Sequence, residues 1–104
     1  MRPVLHGDIS SASRALLAVP ARERAPLARR MIHEAEVADR HVLSTGRLHP
    51  EWGNGTLMAV ARRRPLAVEP DFDNAEYCRC FELMLRCLRR RPPQSSPGAE
   101  ATHS

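Results

Sequence analysis

Apolar side chains recur at helical spacing in four places along the chain, separated by proline, glycine and short polar stretches. In the first, Ile9, Ala12, Leu16 and Val19 share one face. Asp8 stands in front as an N-cap and Pro20 closes the run, which predicts a helix over about 9–19. In the second, Leu27, Met31, Ala35, Ala38 and Val42 repeat every three or four residues, and Ile32 widens the stripe. This helix is expected over about 23–45, with Pro26 in its first turn and Gly46 after its end. It is the longest element, about 30 Å at the standard helical rise. A short helix over about 57–63 is stopped by Pro65, and Pro65 to Pro70 reads as an extended connection. Tyr77, Phe81, Met84, Leu85 and Leu88 then mark a helix over about 74–91. Asp73 and Glu76 form its expected capping box, and Glu82 and Arg86 an outside i,i+4 pair. From Pro92 onward no apolar residue exceeds alanine, and the tail 92–104 is expected to be disordered.

The expected fold is therefore all-α: one small helical domain over residues 1–91, with the first two helices as an antiparallel hairpin joined by a short turn at Pro20. Composition agrees. Aromatic residues are only 4% of the chain, so Leu, Val, Ile, Met and Ala must build the core, and that favours helices over a sheet. No apolar run approaches the length of a membrane span. The opening Met-Arg-Pro-Val-Leu-His-Gly-Asp lacks the apolar stretch of a signal peptide, so a cytoplasmic protein is expected. Long amphipathic helices on a small core favour self-association.

Charge adds a partner class. All 16 basic residues are arginine, against 12 carboxylates, for a net charge of +4 and a pI near 9.8. Arginine grips phosphate and carboxylate bidentately, although a GC-rich genome raises Arg, Ala and Pro together without any such purpose. Two triplets stand out, Arg62-Arg63-Arg64 and Arg89-Arg90-Arg91, with Arg86 one turn before the second. Each falls at an expected helix C-terminus, where cations complement the dipole. Each also suits a phosphate backbone contacted without base readout. No helix displays the Asn, Gln and Arg pattern of a major-groove reader, so any DNA binding should be weak, salt-sensitive and sequence-independent.

Catalytic and metal signals are thin. His33-Glu34 begins a zinc-binding H-E-x-x-H helix, but Val37 stands where the second histidine is needed. His41 lies about 12 Å further along the same helix. Cys78, Cys80 and Cys87 all fall in the last helix. Cys78 and Cys80 point to opposite sides, and Cys80 and Cys87 are about 10.5 Å apart, too far for a disulfide. Free, buried thiols are the expectation. Glu69, Asp71, Asp73 and Glu76 suggest a cation site, but helix initiation explains at least two of them. With no nucleophile elbow and no glycine-rich phosphate loop, neither an enzyme nor a cofactor is expected.

The only tryptophan sits in Arg47-Leu-His-Pro-Glu-Trp-Gly-Asn-Gly-Thr56. Pro50 forces an extended entry, Gly53-Asn54-Gly55 is turn chemistry, and Thr56 can cap the helix from Leu57. Trp52 is expected to lie over the end of the hairpin beside Leu48, Leu57 and Met58.

The order Met-Arg-Pro-Val-Leu-His-Gly-Asp, Ala-Leu-Leu-Ala-Val-Pro, Glu-Ala-Glu-Val-Ala-Asp-Arg and Thr-Gly-Arg-Leu-His-Pro-Glu-Trp-Gly-Asn-Gly-Thr-Leu-Met resembles a small family over about residues 1–90. Its members are encoded beside the packaging genes of rhodobacterial gene transfer agents, and they resemble small terminase subunits. The resemblance implies a helical protein that assembles into rings, binds double-stranded DNA and hands it to the large terminase subunit. It makes the hairpin residues Leu16, Leu27, Met31, Ala35, Ala38 and Val42 candidates for oligomerisation. It also makes Arg62, Arg63, Arg64, Arg86, Arg89, Arg90 and Arg91 candidates for DNA contact. Only eight residues precede the first hairpin, so no separate helix-turn-helix domain fits and no specific packaging site is expected to be read. The competing reading is a monomeric regulatory module whose arginine clusters bind an acidic protein.

Overall fold

The computed structural model describes residues 1–91; the expected disordered tail, 92–104, lies outside them. The described chain is all-α. Its helices are α1 (His6–Leu17), α2 (Ala21–Thr45), α3 (Leu57–Ala61) and α4 (Ala75–Arg90). A three-residue turn folds α2 back on α1, and these two pack on each other and each on both α3 and α4. The core draws Ile9, Ala12 and Leu16 from α1 and Leu27, Met31, Ile32 and Ala35 from α2. Leu57 and Val60 join it from α3, and Cys80 and Met84 from α4. Alanines at 12, 15, 28, 35 and 38 are fully buried. They let the helix backbones approach closely, which is how a chain so poor in aromatics closes a core.

Helix boundaries differ from the sequence reading at several points: α1 ends at Leu17, short of the expected Val19, and the others shift for local reasons. α1 begins at His6, so Asp8 is its third residue rather than its N-cap. From there Asp8 reaches both ways: Oδ2 accepts the Leu5 N–H at 2.9 Å and Oδ1 accepts the Met58 N–H at 2.9 Å. One buried carboxylate thus ties the start of α1 to the start of α3. α2 begins at Ala21 behind Pro20, whose carbonyl takes the Glu23 N–H at 2.9 Å. Pro26 therefore lies beyond the first turn and removes the hydrogen bond that the Arg22 carbonyl would otherwise accept. α3 stops at Ala61, and the triplet from Arg62 lies past its last turn.

At α4 the cap is Asn74, not Asp73: Asn74 Oδ1 accepts the Tyr77 N–H at 2.9 Å. Asp73 instead donates its N–H to Asp71 Oδ1 at 3.0 Å, and Glu76 reaches α2 rather than closing a capping box. The cap expected at Thr56 is present, its Oγ1 accepting the Ala59 N–H at 3.1 Å.

Leu16, Leu27, Met31, Ala35 and Ala38 are buried in the protomer's own core, and Val42 is half-buried. The hairpin stripe is thus consumed within one chain. A contact between copies through it would require the protomer to open.

Candidate functional site

Three arginines point inward and act as connectors. Arg14 Nε donates to the Ala67 carbonyl at 2.8 Å, while the Ala67 N–H donates to the Arg14 carbonyl at 3.1 Å. The extended connection is thereby stitched to α1. Arg24 Nε donates to the carbonyls of Leu16 and Val19, at 3.0 and 3.2 Å, and caps the C-terminal end of α1. Its Nη2 also meets Glu76 of α4 at 3.4 Å. Arg64 pairs with Glu34 of α2: Nη1 lies 3.0 Å from Oε1, and Nη2 donates to Oε2 at 3.1 Å. Glu34 is only 7% exposed. The low dielectric around it strengthens the attraction and makes either partner costly to leave alone. Of the first triplet, Arg62 and Arg63 remain exposed, and Arg64 is committed to α2.

The second triplet lies elsewhere. α2 and α4 diverge around an open groove of about 700 Å³. α4 contributes Leu83, Arg86, Cys87 and Arg90, one helical face, followed by Arg91; α2 contributes Ala25, Arg29, Ile32, His33 and Glu36. The floor is apolar, from Ala25, Ile32, Leu83 and Cys87. The rim carries four guanidinium groups, from Arg29, Arg86, Arg90 and Arg91, beside His33 and a single carboxylate, Glu36. Arg89 is exposed but does not line the groove. A smaller groove of about 340 Å³ lies across α2, where Arg22, Arg30 and Arg64 surround Ala15, Leu27 and Pro65, with Glu23 alongside. Arg22, Arg29 and Arg30 are all exposed on α2, Arg29 lining the first groove and Arg22 and Arg30 the second.

Sequence reading placed Arg86, Arg90 and Arg91 at a basic site and missed Arg22, Arg29, Arg30 and His33. The missed signal is the polar complement of the α2 stripe. Positions 22, 29 and 33 fall opposite Leu27, Met31, Ala35 and Ala38 on a 3.6-residue helix. What periodicity could not supply was the neighbour, because the pairing of α2 with α4 is decided only by the fold.

The thiols are free. Cys80 is buried in the core, and burial pushes its pKa up, which keeps it protonated and unreactive. Cys78 donates to the Phe72 carbonyl at 3.1 Å, and Cys87 lies half-buried on the groove floor. The acidic residues do not converge. Among the described residues no three His, Cys, Asp or Glu side chains come together as a metal site, and Glu69, Asp71 and Asp73 are exposed.

The tryptophan stretch is organised by a residue that the sequence left unassigned. His49 Nδ1 accepts the backbone N–H groups of Glu51 and Trp52, at 3.0 and 3.1 Å. Its ring stacks on Trp52 at 4.8 Å and 8°, with His41 edge-on at 5.1 Å. Trp52 is half-buried and packs on the core as expected. Leu48 does not cover it, being 66% exposed. Gly55, at φ +91°, lies so close to α2 that a Cβ there would meet the Asp39 Cα at 2.7 Å. The loop is seated on α2 by that contact.

Among the described residues no helix is long and apolar enough to cross a membrane. Comparison with curated proteins and with solved structures returns no significant match. A family model does match, over residues 2–88, from before α1 into the last turn of α4 and short of Arg90 and Arg91, and the chain belongs to that family, described as a domain of unknown function, DUF7742.

Proposed function

We propose that this protein is a DNA-packaging adaptor of the small-terminase kind. In this reading it binds double-stranded DNA weakly and without strong sequence preference, self-associates, and brings DNA to a large terminase motor in the cytoplasm. The observation that supports it best is the convergence of Arg29, Arg86, Arg90 and Arg91 on one groove, continued across α2 by Arg22 and Arg30. Such a surface suits phosphates followed along a backbone. Among the described residues no helix presents a set of base-reading side chains, which fits an electrostatic contact. Arg62 and Arg63 extend the basic surface beyond α3 and are secondary contributors; Arg64 serves the fold.

The test is fluorescence anisotropy of labelled duplexes of unrelated sequence, across a salt series, with wild type and with Arg29→Gln/Arg86→Gln/Arg90→Gln. Wild type should bind all duplexes alike and lose affinity steeply with salt. The triple variant should lose affinity for all of them and show a shallower salt slope. A triple variant that binds like wild type removes this surface from the DNA reading. Co-purification with the ATPase of a packaging motor tests the second half. A protein that never associates with such an ATPase, and is retained instead by an acidic regulatory protein, supports the interaction-module alternative.

A further inference from the structure

The loop between α2 and α3 is closed by an atom that titrates. His49 Nδ1 accepts the N–H groups of Glu51 and Trp52, at 3.0 and 3.1 Å. Accepting there requires the neutral ring, with its one proton on Nε2. A second proton would land on Nδ1, turn the acceptor into a donor and set it against two N–H groups at hydrogen-bond distance. The backbone bonds at the base of the same turn carry no such dependence. There the His49 N–H donates to the Gly53 carbonyl at 2.8 Å, and the Gly53 N–H donates to the His49 carbonyl at 3.1 Å.

The surroundings do not compensate the charge that a second proton brings. From α2, His41 lies edge-on to His49 at 5.1 Å. As a second titrating ring it adds repulsion, not relief, when the pH falls. Asp39, two positions before His41, is engaged by the Met1 amino group at 3.2 Å. The N-terminal segment also brings Arg2, whose N–H donates to the Gly55 carbonyl at 3.3 Å. On the loop itself Arg47 and Glu51 are both exposed. Among the described residues neither histidine is ion-paired with a carboxylate. Trp52 pulls the other way, because its ring stacks on His49 at 4.8 Å and 8° and an aromatic face attracts a cation. That single half-exposed stack is set against two lost hydrogen bonds and a new repulsion between donors. The hydrogen bonds decide.

We propose that His49 is a pH-operated latch on the loop. With the ring neutral the loop is closed, and Trp52 lies half-buried against the core. With the ring protonated, the Glu51 and Trp52 N–H groups lose their acceptor, the stack parts and the indole turns out to solvent. The His49–Gly53 backbone pair stays as the hinge, and the four helices are unaffected. Opening follows falling pH through the range in which histidine ordinarily titrates, about 6.5. None of the arginines of the α2–α4 groove takes part, so the latch stands or falls independently of the DNA reading.

Titration of the full chain between about pH 5 and 8 tests this, with Trp52, the only tryptophan, as fluorophore and hydrogen exchange read at single amides. On acidification the Trp52 emission should shift to the red, as that of an indole entering water does. Protection of the Glu51 and Trp52 amides should fall by at least about tenfold, while that of Gly53 and the helical circular dichroism hold. His49→Asn supplies an Oδ1 that accepts the same N–H groups without titrating, and should keep the loop closed across the whole range. His49→Ala should leave it open throughout; where that variant fails to fold, the Asn variant against wild type carries the test. His41→Gln should retain the response. A response that survives His49→Asn, or that vanishes with His41→Gln, overturns the proposal. So does acid quenching of Trp52 with undiminished amide protection, because the imidazolium then stays in place over the indole. Helicity lost in step with the two amides is global unfolding and overturns it as well.

Discussion

The two sides of α2 put the same residue type to opposite uses. Toward α3, Arg64 meets a buried carboxylate, Glu34, and becomes part of the interior. Toward α4, Arg29, Arg86, Arg90 and Arg91 share a groove with one carboxylate, Glu36, and remain a surface. The difference is not in the arginines. Where a fixed acid is within reach, the guanidinium group is neutralised and locks two helices; where arginines outnumber acids, the field stays available to a partner.

Removing the lock should show the largest effect. Arg64→Ala leaves Glu34 buried and unpaired, and urea denaturation should show a loss of about 3 kcal/mol. Duplex binding by the folded fraction should hardly change. An Arg64→Ala protein as stable as wild type but poorer at DNA binding would erase the distinction between the two sides.

The second lock on the same side, Asp8, sharpens the comparison. Asp8→Ala strips acceptors from the Leu5 and Met58 N–H groups and should cost about 2 kcal/mol. Hydrogen exchange at the Met58 amide should accelerate along with it. If that amide keeps its protection, the tie between α1 and α3 does not depend on this carboxylate.

On the groove side the order of effects inverts. Arg86→Gln/Arg90→Gln should change stability by less than about 0.5 kcal/mol. It should flatten the salt slope of duplex binding by about 2, one phosphate contact for each arginine. The thermal midpoint and the anisotropy series, measured on one preparation, check both halves.

The smallest effect concerns pH. Burial raises the Cys80 pKa in the folded state, so the folded chain holds its proton where the unfolded chain gives it up. The contribution is complete below the unfolded thiol pKa, about 8.5, and is lost as pH rises toward the folded value. The urea midpoint should fall as pH is raised through that range, and Cys80→Ala should flatten the fall. The partly exposed Cys78 and Cys87 should react with a thiol reagent before Cys80 does.

Much of the helix pattern was legible in the residues. Ile9, Ala12 and Leu16, and Leu27, Met31, Ala35 and Ala38, are buried faces as their spacing predicts, because a helix period is a local property of the chain. Capping was legible where one residue suffices, as at Thr56, and misread where two neighbours compete, as at Asp73 and Asn74. Half of the basic site was readable: triplets announce themselves in a sequence, and Arg29 does not. His49 had no local signature. Its role depends on a turn that brings two N–H groups to Nδ1 and a tryptophan ring beneath it.

By itself, then, the order of residues determined four amphipathic helices, a polar loop seated by glycines, and an excess of arginine over acid. All of these follow from interactions spanning a few residues. Only the tertiary structure decided that Asp8 would serve a helix 50 residues away, and that Arg64 would be locked inside while Arg86 and Arg90 faced Arg29 across an apolar floor. Those outcomes depend on which helix faces meet. The meeting is set by packing the whole core at once, a property that no short stretch of this chain contains.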